Sequence, residues 1–94
     1  MPPLLEFGRR HADAEEAIRA WIAAVRAADW RSFNDITAQF TTASILGNSR
    51  VCFYIRGNRY RLIVAVLFRN QSGLIKFVGT HAEYDRVDAL AVEL

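Results

Sequence analysis

The chain has 94 residues, of which 52% are hydrophobic, and its formal net charge at neutral pH is +2. This composition excludes a largely disordered chain, and the length predicts that residues 1–94 form a single domain around one core. The single cysteine, Cys52, excludes an internal disulfide bond, and the longest apolar run, at 62–68, is too short to span a bilayer.

The N-terminal half of the chain predicts two helices. The stretch "DAEE" at 13–16 has the form of a capping box, in which an oxygen acceptor is followed three residues later by a glutamate. Apolar residues then recur at helical spacing from Ile18 to Val25, which predicts a helix that ends near Ala28. Ser32 can cap a second, shorter helix before "GNS" at 47–49 ends the helical pattern.

The C-terminal half changes to the pattern of β-strands. "RVCFYI" at 50–55, "YRLIVAVLF" at 60–68 and "LIKFVGT" at 74–80 are rich in β-branched and aromatic residues. Gly57 and Asn58 between the first two suit a tight hairpin turn. We therefore predict an α+β fold with two N-terminal helices packed on a three-stranded antiparallel meander, followed by a short C-terminal helix.

The hairpin turn predicts which side chains share a face of the sheet. A turn centred on Gly57 and Asn58 pairs Tyr54 with Arg61. One face is then apolar and forms the core, with Val51, Phe53, Ile55, Tyr60, Leu62, Val64, Val66 and Phe68. The opposite face, here called the basic face, carries Arg50, Cys52, Tyr54, Arg56, Arg59, Arg61, Ile63 and Ala65. A four-residue loop "NQSG" would add Lys76, Val78 and Thr80 to the basic face and leave Ile75 and Phe77 in the core.

The charge distribution along the chain is uneven. Residues 36–82 contain no acidic residue but carry five arginines and one lysine. This asymmetry favours an anionic partner for the basic face, where Tyr54 could stack on a nucleobase. The alternative to an anion-binding face is a solvated sheet face with scattered arginines. The alternative to base stacking by Tyr54 is ordinary packing of its ring on the aliphatic parts of the arginine side chains.

The stretch "GTHAEYD" at 79–85 concentrates groups that transfer protons. Thr80 and Glu83 form a capping box, so a helix begins at His81, where the helix start also favours an anion. Tyr84 and Asp85 follow on the same side of that helix, and Asp85 can orient the imidazole. Together with Arg61 and Lys76, these residues supply what RNA cleavage without a metal requires, and neither a carboxylate cluster nor zinc-like spacing predicts a metal or cofactor. The alternative for His81 is an ordinary residue at a helix start.

The segments "ASILGNSRVCFYIRGNRYRLIVAV" and "IKFVGTHAEYD" resemble the HigB family of bacterial toxins, which come from type II toxin–antitoxin pairs and belong to the RelE-like superfamily. The resemblance covers about residues 13–88. It implies a ribosome-dependent, metal-independent endoribonuclease that cuts mRNA in the bacterial cytoplasm. It also implies a HigA-type helix-turn-helix antitoxin, which would provide the only link to DNA.

The resemblance also implies roles for individual residues. His81 and Tyr84 match the C-terminal motif in which catalytic side chains are expected, and Arg61 matches the strand arginine that contacts the scissile phosphate. Lys76 stands where the family commonly has a basic residue between two apolar ones. The further expected RNA contacts are Arg50, Tyr54, Arg56 and Arg59.

The N-terminal residues depart from the family pattern. They read "MPPLLEFGRRHADAEE" and lack the short strand with which family members usually begin, so we expect the sheet to lose a strand at its edge. A wrongly assigned start is the alternative explanation. Two other functions stay open from the sequence: a non-catalytic module that binds nucleic acid or an acidic protein, and a toxin of the same fold with another target, such as gyrase.

Overall fold

The structure, a computed structural model, describes residues 2–94 and contains within them four helices and one four-stranded antiparallel sheet. The helices are α1 (Pro2–Arg10), α2 (Ala12–Arg26), α3 (Phe33–Gln39) and α4 (His81–Tyr84). The strands are β1 (Ser44–Ile45), β2 (Arg50–Ile55), β3 (Tyr60–Leu67) and β4 (Ser72–Thr80), in that order across the sheet. The predicted α+β class is confirmed. The prediction of three strands is wrong by one, because the two residues of β1 are too few to show a period.

The N-terminal residues form a helix that the sequence analysis did not predict. Leu4 and Phe7 of α1 are buried, with 0% and 2% of their surface exposed, and lie one helical turn apart in the core. His11 follows α1 and stacks on Phe7 with 4.0 Å between the ring centroids. Within residues 2–94 the first strand is β1, and α1 contributes Leu4 and Phe7 to the core.

The two predicted helix caps of the N-terminal half are wrong in detail. α2 begins one residue before Asp13, and the carboxylate of Asp13 accepts hydrogen bonds from the Tyr60 hydroxyl (2.6 Å) and Arg59 (2.7 Å) instead of capping the helix. α3 does start after Ser32, but the Ser32 side chain makes no capping hydrogen bond. The difference at Asp13 arises because a sequence pattern shows a possible local acceptor but not the distant donors that compete for it.

The β2–β3 hairpin has the predicted register. Tyr54 pairs with Arg61 and Cys52 with Ile63. The turn uses positive φ angles at Arg56 (+53°) and Gly57 (+65°), one residue earlier than predicted. All predicted core-face residues lie in or against the hydrophobic core, namely Val51, Phe53, Ile55, Tyr60, Leu62, Val64, Val66 and Phe68.

The β3–β4 hairpin turns two residues earlier than predicted, again over four residues, and its strands contain a bulge. Leu67 pairs with Ser72, and the 3₁₀ turn Phe68–Asn70 closes the connection. The register then shifts between Ile63 and Val64, where Lys76 is the extra residue of β4. Phe77 consequently pairs with Ile63 on the basic face, whereas Val78 pairs with Leu62 and Thr80 with Tyr60 on the core face. The predicted sides of Phe77, Val78 and Thr80 are therefore wrong. Ile75 packs against the core as predicted.

A C-terminal tail, residues 85–94, covers part of the basic face. Arg50 anchors this tail by donating to the carbonyl oxygens of Ala89 (3.2 Å) and Val92 (2.7 Å) and to the Glu93 carboxylate (3.0 Å). The Lys76 ammonium also donates to Glu93, at 2.8 Å. Only 3% of Arg50 is exposed, so the tail covers this expected RNA contact.

Replacing Arg50 by alanine should destabilise the fold through this tail. The change removes three charge-assisted hydrogen bonds from a buried position, and we expect the free energy of unfolding to fall by about 2 kcal/mol or more. Urea denaturation followed by tryptophan fluorescence measures the effect. Arg69→Ala, at an exposed position without an ion pair in residues 2–94, is the matched control and should change stability by less than about 0.5 kcal/mol. Equal stabilities of the two variants would contradict the anchoring role.

None of the helices within residues 2–94 combines the length and the apolar composition needed to cross a membrane.

Candidate functional site

Arg61 lies between two tyrosine rings at the turn end of the basic face. Its guanidinium carbon is 4.4 Å from the ring centroid of Tyr54 and 4.9 Å from that of Tyr84. Its Nη2 donates to the Asn58 side-chain oxygen at 2.7 Å, and its Nε has no acceptor among the described residues. Arg61 is 9% exposed and forms no ion pair with a carboxylate of residues 2–94. The structure thus holds a guanidinium in a defined position with most of its donors unused.

Tyr84 reaches this position because α4 follows β4 directly. Gly79 of β4 pairs with Arg61, and the chain then turns into α4 beside β3, where the N–H of His81 donates to the carbonyl of Arg59 (3.0 Å). Burial, and after it the neighbouring Cys52 thiol, raise the pKa of Tyr84 above its ordinary value. The Tyr84 hydroxyl is therefore protonated at neutral pH, is a weaker acid than an ordinary tyrosine and is suited to donating a hydrogen bond.

Cys52 lies beneath the arginine and the two tyrosines. Its side chain is fully buried, and burial is the main reason why the pKa of the thiol is raised. Arg61 acts in the opposite direction on the pKa of Cys52 but does not outweigh the burial. Cys52 is thus a buried thiol that packs beneath Tyr84 and Arg61.

The capping box predicted at Thr80 is confirmed, and it orders the start of α4. The Thr80 hydroxyl accepts from the N–H of Glu83 (3.2 Å), and the Glu83 carboxylate accepts from the N–H of Thr80 (2.8 Å). The expectation of an anion site at this helix start is wrong. The helix has only four residues, the Glu83 carboxylate occupies its first turn, and the His81 N–H is already bonded.

His81 and Asp85 form the side-chain pair expected from their spacing. The His81 Nδ1 lies 3.1 Å from a carboxylate oxygen of Asp85, and both side chains are about half exposed, at 47% and 60%. This contact places the Asp85 carboxylate where it can orient the imidazole. The structure brings Tyr84 into contact with Arg61, whereas His81 lies one turn earlier on α4, facing solvent.

Lys76 and Arg50 are not brought to Arg61. Lys76 lies three residues before Gly79 on β4, which is roughly 10 Å along the strand from the Arg61 pair. Its ammonium and the Arg50 guanidinium share Glu93 instead. The predicted convergence of Lys76 with Arg61 is therefore wrong. The β4 bulge and the contact with the tail change the position of the lysine, and neither feature can be predicted from the local sequence pattern.

Arg56 and Arg59 turn toward the helical side of the sheet. Arg59 donates to Asp13 of α2 at 2.7 Å, and Arg56 lies 3.9 Å from the same carboxylate. Both arginine side chains are more than half exposed, at 56% and 65%. The acid-free segment is thus partly neutralised in the folded protein by carboxylates from the flanking segments, and Arg61 is the buried cation that they do not reach.

Asn58 and Ser44 are parts of the site that the sequence analysis missed. Asn58 accepts from Arg61, as described above, and Ser44 of β1 exchanges a hydrogen bond with the Tyr54 hydroxyl at 2.7 Å. The sequence indicates Asn58 only as a turn residue, although an asparagine three residues before an arginine of the same hairpin is close enough to contact it. Ser44 gave no signal because β1 is too short. Within residues 2–94, no three histidine, cysteine or acidic side chains gather in a way that would hold a metal ion.

A family comparison identifies the kind of protein. The model of the HigB toxin family, described as the RelE-like toxic component of a toxin–antitoxin system, matches residues 14–87. The chain belongs to the HigB toxin family. The matched region contains Arg61, His81 and Tyr84 and leaves α1 and most of the tail outside. A comparison with curated proteins found no match. As the toxic component of a toxin–antitoxin system, this toxin has a cognate antitoxin as its implied partner.

The pairing of Asp13 with the hairpin turn predicts how the stability of the toxin responds to acid. The Tyr60 hydroxyl and then Arg59 lower the pKa of Asp13 below its ordinary value. Because the folded pKa lies below the unfolded one, the carboxylate adds stability above its unfolded pKa, and this stability is lost as the pH falls through the folded pKa. We expect Asp13→Asn to lose less stability than the wild type between about pH 5 and pH 2.

Urea denaturation at a series of pH values measures this difference in slope. Tyr60→Phe removes the largest cause of the lowered pKa and should reproduce part of the effect. Parallel stability profiles for the wild type and Asp13→Asn would show that the pairing does not contribute.

Proposed function

We propose that this toxin is a ribosome-dependent endoribonuclease, an mRNA interferase, that stops translation by cutting mRNA in the bacterial cytoplasm. The observation that carries the proposal is the environment of Arg61. Its guanidinium is positioned by two tyrosine rings and Asn58 and has no carboxylate partner in residues 2–94. A preorganised cation without a counter-ion suits a phosphate group, since guanidinium donors match phosphate oxygens in geometry.

The chemistry that this site supports is attack of the RNA 2′-hydroxyl on the neighbouring phosphorus. The 2′-oxygen forms a bond to phosphorus while the bond to the 5′-oxygen breaks, which leaves a cyclic 2′,3′-phosphate and a 5′-hydroxyl. A base must take the 2′ proton, an acid must protonate the leaving 5′-oxygen, and a cation must stabilise the phosphorane. Arg61 is our candidate for the cation.

His81 and Tyr84 are our candidates for the two proton transfers. The Tyr84 hydroxyl is protonated at neutral pH and can act as the acid or donate a hydrogen bond to the phosphorane, and its raised pKa favours the second of these roles. The Asp85 carboxylate orients the His81 ring at 3.1 Å, which favours the base role for the imidazole. The His81 side chain is half exposed. In this proposal, the bound mRNA and the ribosome cover this part of the site during cleavage.

The surrounding cations divide into two groups in this proposal. Arg56 and Arg59 are exposed at the hairpin turn and are proposed to contact the backbone of mRNA or ribosomal RNA. Arg50 and Lys76 are engaged by the tail and are not included among the RNA contacts. The proposed antitoxin is a HigA-type helix-turn-helix protein, which would neutralise the toxin and provide its only contact with DNA.

Induced expression with and without the neighbouring antitoxin gene, followed by mapping of mRNA 5′ ends, tests the function in cells. We expect growth arrest and new 5′-hydroxyl ends within coding regions only when the toxin is expressed alone. Purified toxin should cut mRNA on programmed ribosomes and leave the same free mRNA largely intact. Growth arrest without new mRNA ends would overturn the nuclease proposal and favour a toxin that acts on a different target.

A further inference from the structure

A shallow, open recess lies beside Arg61 and is lined by Thr42, Tyr54, Gly57 and Asn58. The Tyr54 ring gives it an aromatic wall, which is fixed by the hydrogen bond to Ser44 and by the guanidinium of Arg61. The space around Gly57 is open, since a methyl group added there would meet no atom within 4 Å. The recess thus has room beside an aromatic ring and next to the proposed phosphate position.

The side-chain orientation of Asn58 follows from its contact with Arg61. A guanidinium can only donate hydrogen bonds, so the group that faces Arg61 at 2.7 Å must be the amide oxygen of Asn58. The NH₂ group of Asn58 then points away from Arg61 and has no acceptor among the described residues. Because Asn58 lines the recess, its NH₂ group is available to a ligand there as a hydrogen-bond donor, and the Thr42 hydroxyl can donate or accept.

We infer that this recess is a nucleobase subsite that prefers keto bases, guanine and uracil, over the amino bases adenine and cytosine. The inference rests on the proposed function, because it concerns the base next to the phosphate held by Arg61. Guanine and uracil present a carbonyl oxygen where adenine and cytosine present an amino group. The carbonyl oxygen of a keto base accepts a hydrogen bond from the Asn58 NH₂ group. The amino group of adenine or cytosine is itself a donor, so it cannot form this hydrogen bond with Asn58. Tyr54 stacks on either kind of base and adds affinity without discrimination.

The test measures cleavage on ribosomes programmed with an mRNA library in which every base occurs at each position around the cut. We expect one position at which the wild-type toxin cuts keto bases roughly tenfold more often than amino bases. Asn58→Asp should reverse this ratio, because one carboxylate oxygen still accepts from Arg61 and the other now offers an acceptor to amino bases. Asn58→Ala should abolish the preference, and it keeps the test decisive if the aspartate variant is inactive.

The control is Asn34→Asp, the same change at an exposed position on α3, which should leave both the preference and the rate unchanged. A lower total rate for the Asn58 variants with an unchanged base ratio would overturn the inference, because Asn58 would then act only by holding Arg61. The absence of any biased position in the wild-type data would do the same. If the wild-type toxin cuts no ribosome-bound mRNA at all, the proposed function itself fails, and the base preference fails with it.

Discussion

Replacing Arg61 by alanine should abolish growth inhibition and slow mRNA cleavage on ribosomes by about 100- to 1,000-fold, as expected for the loss of one group that stabilises charge in a transition state. The physical reason is that Arg61 is the cation between Tyr54 and Tyr84 that no carboxylate of residues 2–94 neutralises. Single-turnover cleavage on programmed ribosomes measures the rate, and thermal melts measure the stability of each variant.

Two further variants separate the charge of Arg61 from its packing. Arg61→Lys keeps a positive charge between the tyrosine rings but loses the planar fork that binds two phosphate oxygens, so its activity should lie between those of wild type and alanine variant. Arg69→Ala removes an exposed arginine of the same acid-free segment and should cut at the wild-type rate. Full toxicity from a folded Arg61→Ala protein would remove Arg61 from the proposed mechanism.

The effects of removing His81 and Tyr84 on the cleavage rate should not be additive. If both residues act in the same proton transfers, His81→Ala and Tyr84→Phe should each slow cleavage on the order of a hundredfold or more. The double variant should then be little slower than the slower single variant, as observed for residues that act as a unit. Single-turnover cleavage of ribosome-bound mRNA is again the measurement.

The phenylalanine substitution is informative because of what it leaves in place. Tyr84→Phe keeps a ring at 4.9 Å from the Arg61 guanidinium, so a stacking role survives and a hydroxyl role does not. Asp85→Asn is the milder companion, since it weakens only the orientation of His81. If Tyr84→Phe cleaves mRNA at the wild-type rate, the role of the tyrosine is structural. If His81→Ala also cleaves at the wild-type rate, residues 79–85 act only as a capped helix start, and a non-catalytic binding module becomes the favoured function.

The parts of this fold that were predictable from the sequence depend on interactions between close neighbours in the chain. The β2–β3 register followed from one turn, because pairing Tyr54 with Arg61 determines every other pair of the hairpin. The alternation of apolar residues then identified the core face. The capping box at Thr80 was readable because its two partners are three residues apart. The resemblance carried by "GTHAEYD" similarly indicated the toxin family that the family comparison established.

The predictions that failed concern contacts between distant segments. Asp13 was read as a helix cap because its partners, Arg59 and Tyr60, are 46 and 47 residues away. The predicted register and the family resemblance place Lys76 at the site, but the bulge that displaces it depends on how β3 and β4 pack, which no local pattern of β4 reveals.

The sequence by itself determined the α+β class, the hairpin, the core face and the candidate residues Arg61, His81 and Tyr84, because periodicity and turn chemistry act over a few residues. Only the tertiary structure decided which cations remain available to a ligand. The tail neutralises Arg50 from 43 residues away, and α2 neutralises Arg59 from 46 residues away. Charge pairing depends on distance in space, so an acid-free stretch of sequence becomes one buried, unpaired guanidinium only when the chain has folded.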